Sequence, residues 1–132
     1  MNLINIKALE AFEFLSKKVN SHLIDTRSNL EWKTTGVPDL TSINKETYLV
    51  NWGPVLDQNF FEQYKEFLLI KFNKNDNLFF ICRSGSRSLM ASQIAIKFGF
   101  KNSFNLYEGF DNDSDQNWKK NLPVKFIKAS FT

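Results

Sequence analysis

The sequence predicts an α/β domain in which helices flank a central, mostly parallel sheet of four or five strands. Two observations predict this fold class. Short apolar segments alternate along the chain with longer segments of helical periodicity, as they do in parallel α/β proteins. One short segment, residues 78–81, is apolar at every position, which is typical of a central strand buried on both faces.

The first half of the chain is expected to hold a helix, two strands and a helical turn. Apolar residues recur at helical spacing over residues 6–18 and predict a helix whose inner face carries Leu9, Phe12, Leu15 and Val19. A strand is expected at residues 22–25, and a helical turn follows at residues 28–32. A second strand is expected at residues 48–50, ahead of a turn that contains Gly-Pro.

The second half is expected to alternate helices and strands. A helix over residues 59–72 has an apolar stripe that we interpret as packing, formed by Phe60, Phe61, Tyr64, Phe67 and Leu68. The strand at residues 78–81 leads into a helix over residues 87–99, which ends at a glycine. A last strand near residues 104–107 and a short helix near residues 115–120 complete the prediction.

Size and charge restrict the function classes. A chain of 132 residues with 42% hydrophobic residues supports one domain with a core, so we interpret residues 1–132 as a single domain. The formal net charge is +3, and the lysines are scattered, with no run of like charges and no interleaved aromatic platform. A nucleic-acid partner is therefore not expected, whereas an attraction for small anions is.

The cysteine content and the amino-terminal segment bear on location. One cysteine cannot form an internal disulfide, so a secreted disulfide framework is not expected. Lys7, Glu10 and Glu13 interrupt the apolar pattern of the first helix, so no signal peptide is expected either. No apolar stretch approaches the length that spans a bilayer, so we expect no membrane partner and a cytoplasmic location.

Seven consecutive residues between the strand at 78–81 and the next helix carry the chemistry: Cys82, Arg83, Ser84, Gly85, Ser86, Arg87 and Ser88. Functional sites of parallel α/β sheets form at the carboxyl ends of strands. At a helix N-terminus, unpaired N–H groups and the helix dipole favour negative charge. A tight loop of small residues, with Gly85 free to adopt a positive φ, can point successive amides inward and bind an anion.

Cys82 is predicted to lie at the centre of these donors. They would favour its thiolate and would equally stabilise a persulfide anion. Arg83 and Arg87 add permanent positive charge and forked donors suited to an oxyanion such as a sulfonate. A lone cysteine is more often a small buried hydrophobe. Here a strand, a glycine-containing loop, two arginines and a helix coincide, so we favour a reactive cysteine.

The loop sequence CRSGSRS resembles the active-site loop of single-domain rhodaneses, often written CRxGxRS. Further matches occur in the same order along the chain: Asp25-Thr26-Arg27 with Glu31, then Glu108-Gly109-Phe110, Trp118 and Leu122-Pro123. The resemblance covers residues 6–124 and implies a rhodanese-like three-layer domain. It also implies a ping-pong sulfurtransferase of the thiosulfate type, for which no cofactor is expected.

The resemblance implies a role for each part of the loop. Cys82 is the nucleophile that takes the outer sulfur of thiosulfate or of a persulfide donor. Arg83 and Arg87 bind the small anionic donor, and the amides of residues 83–88 hold the persulfide. Because the chain has no second cysteine, the sulfur has to pass to an external acceptor, either a small thiol or a protein.

Two alternatives stay open. A non-enzymatic sulfur carrier or protein-interaction module would keep the same loop. A cysteine-dependent phosphatase or an arsenate reductase is less favoured, because cysteine-dependent phosphatases use a C-x5-R loop and Arg87 lies at C-x4-R.

Asp25, Arg27 and Trp52 are candidates for the pocket wall or for support of the loop. Asp25 is interpreted mainly as a partner of Arg27, and Arg27 is also expected to pair with Glu31, four residues further on. Trp52 is left open between pocket wall and core. His22 has no second ligand at metal-binding spacing, so we predict no metal site.

Overall fold

The computed structural model describes residues 4–127. Its strands are β1 Asn5–Ile6, β2 Ser21–Asp25, β3 Val37–Pro38, β4 Thr47–Leu49, β5 Asn77–Ile81, β6 Ser103–Leu106 and β7 Val124–Lys125. Its α-helices are α1 Ala8–Lys17, α2 Asn29–Thr35, α3 Gln58–Lys71, α4 Ser86–Lys97 and α5 Trp118–Asn121, and a 3₁₀ helix covers Thr41–Ile43. None of these helices, all within residues 4–127, has the length and apolar character needed to cross a membrane.

The main sheet has five parallel strands in the order β1-β6-β5-β2-β4. The central strand β5 pairs with β2 over its whole length, from its first residue beside Ser21 to Ile81 beside Asp25. Parallel strands end at the same edge of a sheet, so the residues that follow β2 and β5 meet there. This pairing places Cys82, the residue after Ile81, next to the segment that follows Asp25.

Two hydrophobic cores cover the two faces of this sheet. Side chains of α1 and α5 pack on one face around Phe79 and Ile81. Side chains of α3 and α4 pack on the other face around Leu78 and Phe80. All four of these strand residues are fully buried, which explains why residues 78–81 of β5 are all apolar and confirms the predicted fold class. The predicted phenylalanine stripe of α3 also packs against the second core, through Phe60, Phe61 and Phe67.

The first helix differs from the prediction in its start and in its buried face. The short strand β1 precedes it, and α1 begins only at Ala8. Ala8, Ala11 and Leu15 form its buried face. Leu9 is 51% exposed, and Val19, which lies beyond the end of the helix, is 90% exposed. Placing Leu9 and Val19 in the core was wrong, because the face that meets the sheet is formed by Ala8, Ala11 and Leu15 and does not include Leu9.

Smaller differences lie in the loops around the sheet. α2 is a full helix rather than a turn, because the hydroxyl of Ser28 caps it and accepts from the amide of Glu31 at 3.2 Å. α5 begins at Trp118 rather than at residue 115, because Asn117 provides its cap. The two-residue strands β3 and β7 form an antiparallel pair that the sequence did not indicate.

Candidate active site

Cys82 follows the central strand β5 and is almost fully buried, with 1% of its surface exposed. The N–H of Gly85 donates to its sulfur at 3.1 Å, and the hydroxyl oxygen of Ser88 lies 3.2 Å from the same sulfur. Both partners belong to the turn that opens α4, so the sulfur lies against the N-terminus of that helix. This is the position at which the sequence predicts an anion site.

Two glycines give the loop its shape. Gly85, the residue before α4, has a φ of 105°, and Gly109, in the turn after β6, has a φ of 70°. A Cβ atom at Gly85 would lie 2.5 Å from the carbonyl oxygen of Tyr107, and one at Gly109 would overlap the carbonyl oxygen of Arg83. A side chain at either position would therefore displace backbone in addition to straining the left-handed conformation.

Backbone hydrogen bonds to the turn after β6 hold the loop in place. The N–H of Phe110 donates to the carbonyl oxygens of Cys82 and Arg83, at 2.8 and 3.1 Å. The carbonyl oxygens of Cys82 and Arg83 are thereby satisfied, while several loop amides are not. Within residues 4–127, no protein acceptor is bound to the amides of Arg83, Ser84, Ser86, Arg87 and Ser88. These N–H groups are donors that an anion beside the sulfur can use.

Arg87, in the first turn of α4, is held by Glu31 of α2. Its two terminal nitrogens donate to the two carboxylate oxygens at 2.7 and 2.9 Å. The hydrogen bond from Arg87 is the main cause that lowers the pKa of Glu31 to about 2, and the same contact raises the pKa of Arg87. The expected pair of Arg27 with Glu31 was therefore wrong. Arg27 precedes the helix cap at Ser28, so the two residues do not share a helix face.

Asp25 and Arg27 form an ion pair that is fully buried, with side chains 0% and 1% exposed. The guanidinium contacts both carboxylate oxygens, at distances between 2.8 and 3.1 Å. Its other hydrogen bonds go to the hydroxyl of Thr35 at 2.9 Å and the carbonyl oxygen of Gly36 at 2.7 Å. Its central carbon, Cζ, lies 3.8 Å from the ring centre of Phe110. The predicted pairing of Asp25 with Arg27 is confirmed, and the pair ties the end of β2 to the C-terminal end of α2.

Arg83 and Trp52 have different surroundings. The Arg83 side chain is exposed, and within residues 4–127 it has no hydrogen-bond or ion-pair partner, in contrast to Arg87. Trp52 is 5% exposed and packs edge-on against Tyr64, with ring centres 5.0 Å apart. It also lines, with Arg87 and Met90, a cavity of about 280 Å³ beside the loop. Trp52 is therefore a core residue that also forms one wall of this cavity.

His22 lies near the opposite end of β2 and takes no part in this site. Its Nε2 is 3.0 Å from a carboxylate oxygen of Asp76, and its ring packs on Phe72. Burial lowers the pKa of His22 below 6.5, against the raising effect of Asp76. In the part of the chain that the structure describes, no three His, Cys, Asp or Glu side chains are grouped so as to hold a metal ion.

Sequence reasoning missed Asn105, a buried residue of β6 that is 2% exposed. Its side-chain oxygen accepts from the hydroxyl of Ser88 at 2.6 Å, and its amide nitrogen donates to the carbonyl oxygen of Gly85 at 3.2 Å. A signal for it was present in the sequence. A polar side chain between two apolar residues of a predicted strand, here Phe104 and Leu106, needs buried partners. The loop after a neighbouring strand is where such partners can lie.

Comparison with known proteins gives consistent results along the sequence. The family model described as Rhodanese-like domain matches residues 9–116. The chain is 38% identical over 125 residues to the uncharacterized protein RP600 of Rickettsia prowazekii, covering 92% of this chain and 97% of that protein. It is 34% identical over 128 residues to the RP600 homolog of Rickettsia rickettsii, covering 96% of this chain and 100% of that protein.

Solved structures share the fold. The structure of Rv0390 from M. tuberculosis has a TM-score of 0.78 and 29% identity, covering 92% of this chain and 96% of that chain. The human single-domain sulfurtransferase TSTD1 has a TM-score of 0.61 and 17% identity, and the match covers 92% of this chain and 100% of that chain. The polysulfide-sulfur transferase homodimer of Wolinella succinogenes has a TM-score of 0.61 and 20% identity, and the match covers 96% of this chain and 81% of that chain. At these lower identities the likeness is one of fold.

Proposed function

Because this chain belongs to the rhodanese-like domain family, we propose that it is a sulfurtransferase that carries sulfane sulfur as a persulfide on Cys82. The observation that carries the proposal is the position of the Cys82 sulfur, 3.1 Å from the N–H of Gly85 at the start of α4. Five neighbouring amides have no acceptor within residues 4–127. An anionic sulfur at this place gains hydrogen bonds and the favourable end of the helix dipole.

In the first half-reaction, the Cys82 thiolate attacks the outer sulfur of thiosulfate. A new S–S bond forms to Sγ, the S–S bond of thiosulfate breaks, and sulfite leaves with the electron pair. The product is a cysteine persulfide anion whose outer sulfur lies about 2 Å from Sγ. The unpaired amides of the loop are the donors assigned to this outer sulfur.

In the second half-reaction, a nucleophile attacks the outer sulfur, the S–S bond of the persulfide breaks, and the Cys82 thiolate is regenerated. Cyanide serves as acceptor in an assay and yields thiocyanate. In the cell, the acceptor is a small thiol or a protein thiol. The chain has one cysteine, so no second thiol of its own can displace the sulfur by forming a disulfide with Cys82.

The donor is a small anion, and Arg83 is the cation that we assign to it. Its exposed guanidinium follows Cys82 directly and has no partner within residues 4–127, so its forked donors are open to a sulfonate group. Arg87 is engaged by Glu31 through both terminal nitrogens. Arg87 therefore acts on the site through its charge and through the position of α4, more than by direct contact with the donor.

The test is thiocyanate formation from thiosulfate and cyanide, with Cys82→Ser as the matched variant. The substitution exchanges one small atom on a loop, so we expect the thermal unfolding transition to stay in place while thiocyanate formation falls to the uncatalysed rate. Retained turnover in a folded Cys82→Ser protein would rule out the persulfide mechanism. Hydrolysis of an aryl phosphate by the wild type, without sulfur transfer, would support a phosphatase instead.

A role as sulfur carrier between proteins is the second candidate, because the single cysteine makes an external acceptor obligatory. The two roles differ in their preferred donor. An enzyme of the thiosulfate type turns over with thiosulfate, whereas a carrier exchanges sulfur faster with a protein persulfide. Comparing both donors at equal concentration, with Cys82→Ser as the blank, separates the two roles.

A further inference from the structure

The side chain of Asn105 connects the active-site loop to the edge of the sheet. Its Nδ2 donates to the carbonyl oxygen of Gly85 at 3.2 Å and to the side-chain oxygen of Asn5, on the neighbouring strand β1, at 3.1 Å. Its Oδ1 lies 2.6 Å from the hydroxyl oxygen of Ser88. Both amide hydrogens and the amide oxygen are therefore in use, as a buried carboxamide requires.

These contacts fix where the hydroxyl hydrogen of Ser88 lies. The carbonyl oxygen of Gly85 can only accept, so the Asn105 atom that faces it has to be the NH₂ group and not the oxygen. The oxygen of Asn105 then faces Ser88. Since a carboxamide oxygen cannot donate, the single hydroxyl hydrogen of Ser88 occupies the short contact between them.

This arrangement has a consequence for Cys82. The hydroxyl oxygen of Ser88 lies 3.2 Å from the sulfur, but its only hydrogen points to Asn105. Toward the sulfur it presents a lone pair, which suits a protonated thiol that donates. Once the sulfur is an anion, two electron-rich atoms face each other, unless the hydroxyl rotates and donates to the sulfur. That rotation leaves the buried oxygen of Asn105 without a donor, which is unfavourable.

We propose that Asn105 is a positioning residue for Cys82. It holds the hydroxyl hydrogen of Ser88 away from the protonated thiol and releases it to the sulfur when the thiolate or the persulfide forms. Asn105 is uncharged and touches no reacting atom, so it acts through its neighbours. The switch runs through Ser88, and a Ser88→Ala background separates it from the contact of Asn105 with Gly85. The proposal rests on the proposed function, because it concerns how readily the same sulfur becomes an anion.

Several charged groups lie around the site without contacting the Ser88–Asn105 pair. They are Arg83 within the loop, Arg87 on α4 with its partner Glu31 on α2, and Asp25 at the end of β2 beside Arg27. None of the five contacts the Ser88 hydroxyl or the Asn105 side chain. Substitution of Asn105 therefore leaves these charges in place and removes only its own hydrogen bonds, to Ser88, Gly85 and Asn5.

The test is an equilibrium titration of the Cys82 thiol by the ultraviolet absorbance of the thiolate, with Cys82→Ser subtracted as the blank. The chain has one cysteine, so the signal reports a single group. Asn105→Leu removes the competing acceptor and keeps the branched shape and the number of heavy atoms. We expect the titration midpoint to move about one pH unit lower, a tenfold gain in the thiolate-to-thiol ratio. In a Ser88→Ala background the same substitution is expected to have no effect. An unmoved midpoint, or an equal shift without Ser88, overturns the proposal.

A measurement on the unaltered chain covers the case in which Asn105→Leu does not fold. The carbon signal of the Asn105 carboxamide, followed by NMR with pH, is expected to shift with the midpoint of the Cys82 titration, because the amide oxygen loses its donor there. A signal that stays constant across that midpoint contradicts the switch. Both measurements work without a sulfur donor, so failure of thiosulfate turnover with an intact switch counts only against the proposed function.

Discussion

The two ends of the parallel sheet hold sites that differ in size and in chemistry. At the amino ends of β2 and β4, a cavity of about 550 Å³ is lined by residues that include His22, Lys45 and Tyr48. At the carboxyl ends, the cavity beside the Cys82 loop measures about 280 Å³. The larger of these two cavities therefore lies at the end of the sheet away from Cys82.

The two ends of the sheet differ in whether their hydrogen-bond donors are already bound to acceptors of the protein. The ammonium group of Lys45 donates to three protein oxygens, two of Ser21 and one of Lys18, at 2.7 to 2.8 Å. At the other end, five loop amides have no acceptor within residues 4–127, and the guanidinium of Arg83 has no partner there either. Unsatisfied donors around a nucleophile indicate chemistry better than cavity volume does.

The largest effect is expected from breaking the buried Asp25–Arg27 pair at the carboxyl end of β2. Arg27→Met leaves the carboxylate of Asp25 buried without a cation, and we expect a loss of about 3–5 kcal/mol in the free energy of unfolding. The comparison at the amino end is His22→Gln, which breaks a partly exposed contact with Asp76 and should cost about 1 kcal/mol or less. Urea unfolding of both variants measures this. If both variants lost the same free energy of unfolding, the buried ion pair at the carboxyl end would contribute no more stability than the contact of His22 with Asp76.

The next effect is expected from a side chain at Gly109. A Cβ there overlaps the backbone of Arg83, whereas Gly53 has a similar positive φ of 95° and nothing within 4 Å of its Cβ position. Both alanine variants carry conformational strain of about 1–2 kcal/mol, and Gly109→Ala adds about 1–3 kcal/mol of steric displacement. We expect Gly109→Ala to lose stability and thiosulfate turnover together, while Gly53→Ala keeps turnover. Loss of turnover in both variants would contradict the assigned role of the loop contact.

A smaller effect is expected from the unpaired cation. Arg83→Ala should raise KM for thiosulfate about tenfold, equivalent to about 1.4 kcal/mol, with little change in stability. Lys45→Ala removes the same charge from a chain of formal net charge +3, at the other end of the sheet. Steady-state kinetics should show no change in KM for that control. If both substitutions raise KM equally, thiosulfate is attracted by the net charge of the protein and is not bound by Arg83 at the loop.

The smallest effect is expected in acid. The pKa of Glu31 is about 2 in the folded chain against an ordinary value of 4.5, so its pair with Arg87 stabilises fully above pH 4.5 and is lost as pH falls toward 2. Burial lowers the pKa of His22 below 6.5, so the stability due to its neutral form is present above pH 6.5 and is lost as pH falls below that value. Urea midpoints of Glu31→Gln and His22→Gln, each compared with wild type, should therefore diverge in different pH windows. The Glu31 difference should be about 1 kcal/mol. If the urea midpoints of both variants diverged from wild type over the same pH range, these assignments would be contradicted.

The central strand and the loop after it were predictable from sequence because each depends on local properties. An apolar run such as that of β5 has few alternatives to a strand buried on both faces. A cysteine followed by small residues, a glycine and a helix start is also a local pattern. The buried face of α1 was not predictable in the same way. The helical spacing allows either the face with Leu9 or the face with Ala8 to be the buried one. Only the position of the sheet determines which face is buried.

Partners far apart in sequence were the part that sequence reasoning could not supply. Arg27 and Glu31 have helical spacing, but the cap at Ser28 separates them, and Glu31 binds Arg87, 56 residues away. Asn105 lies 17 residues from Ser88, and their contact exists because β6 is hydrogen-bonded beside β5. Such pairs depend on strand order, which no local pattern encodes.

The most direct test of the central claim is the intact mass of the protein after incubation with thiosulfate, and again after addition of cyanide. The account predicts a gain of one sulfur atom that peptide mapping places on Cys82, and loss of that sulfur to cyanide as thiocyanate. A mass that stays unchanged with thiosulfate and with a protein persulfide would contradict the claim that Cys82 carries sulfur.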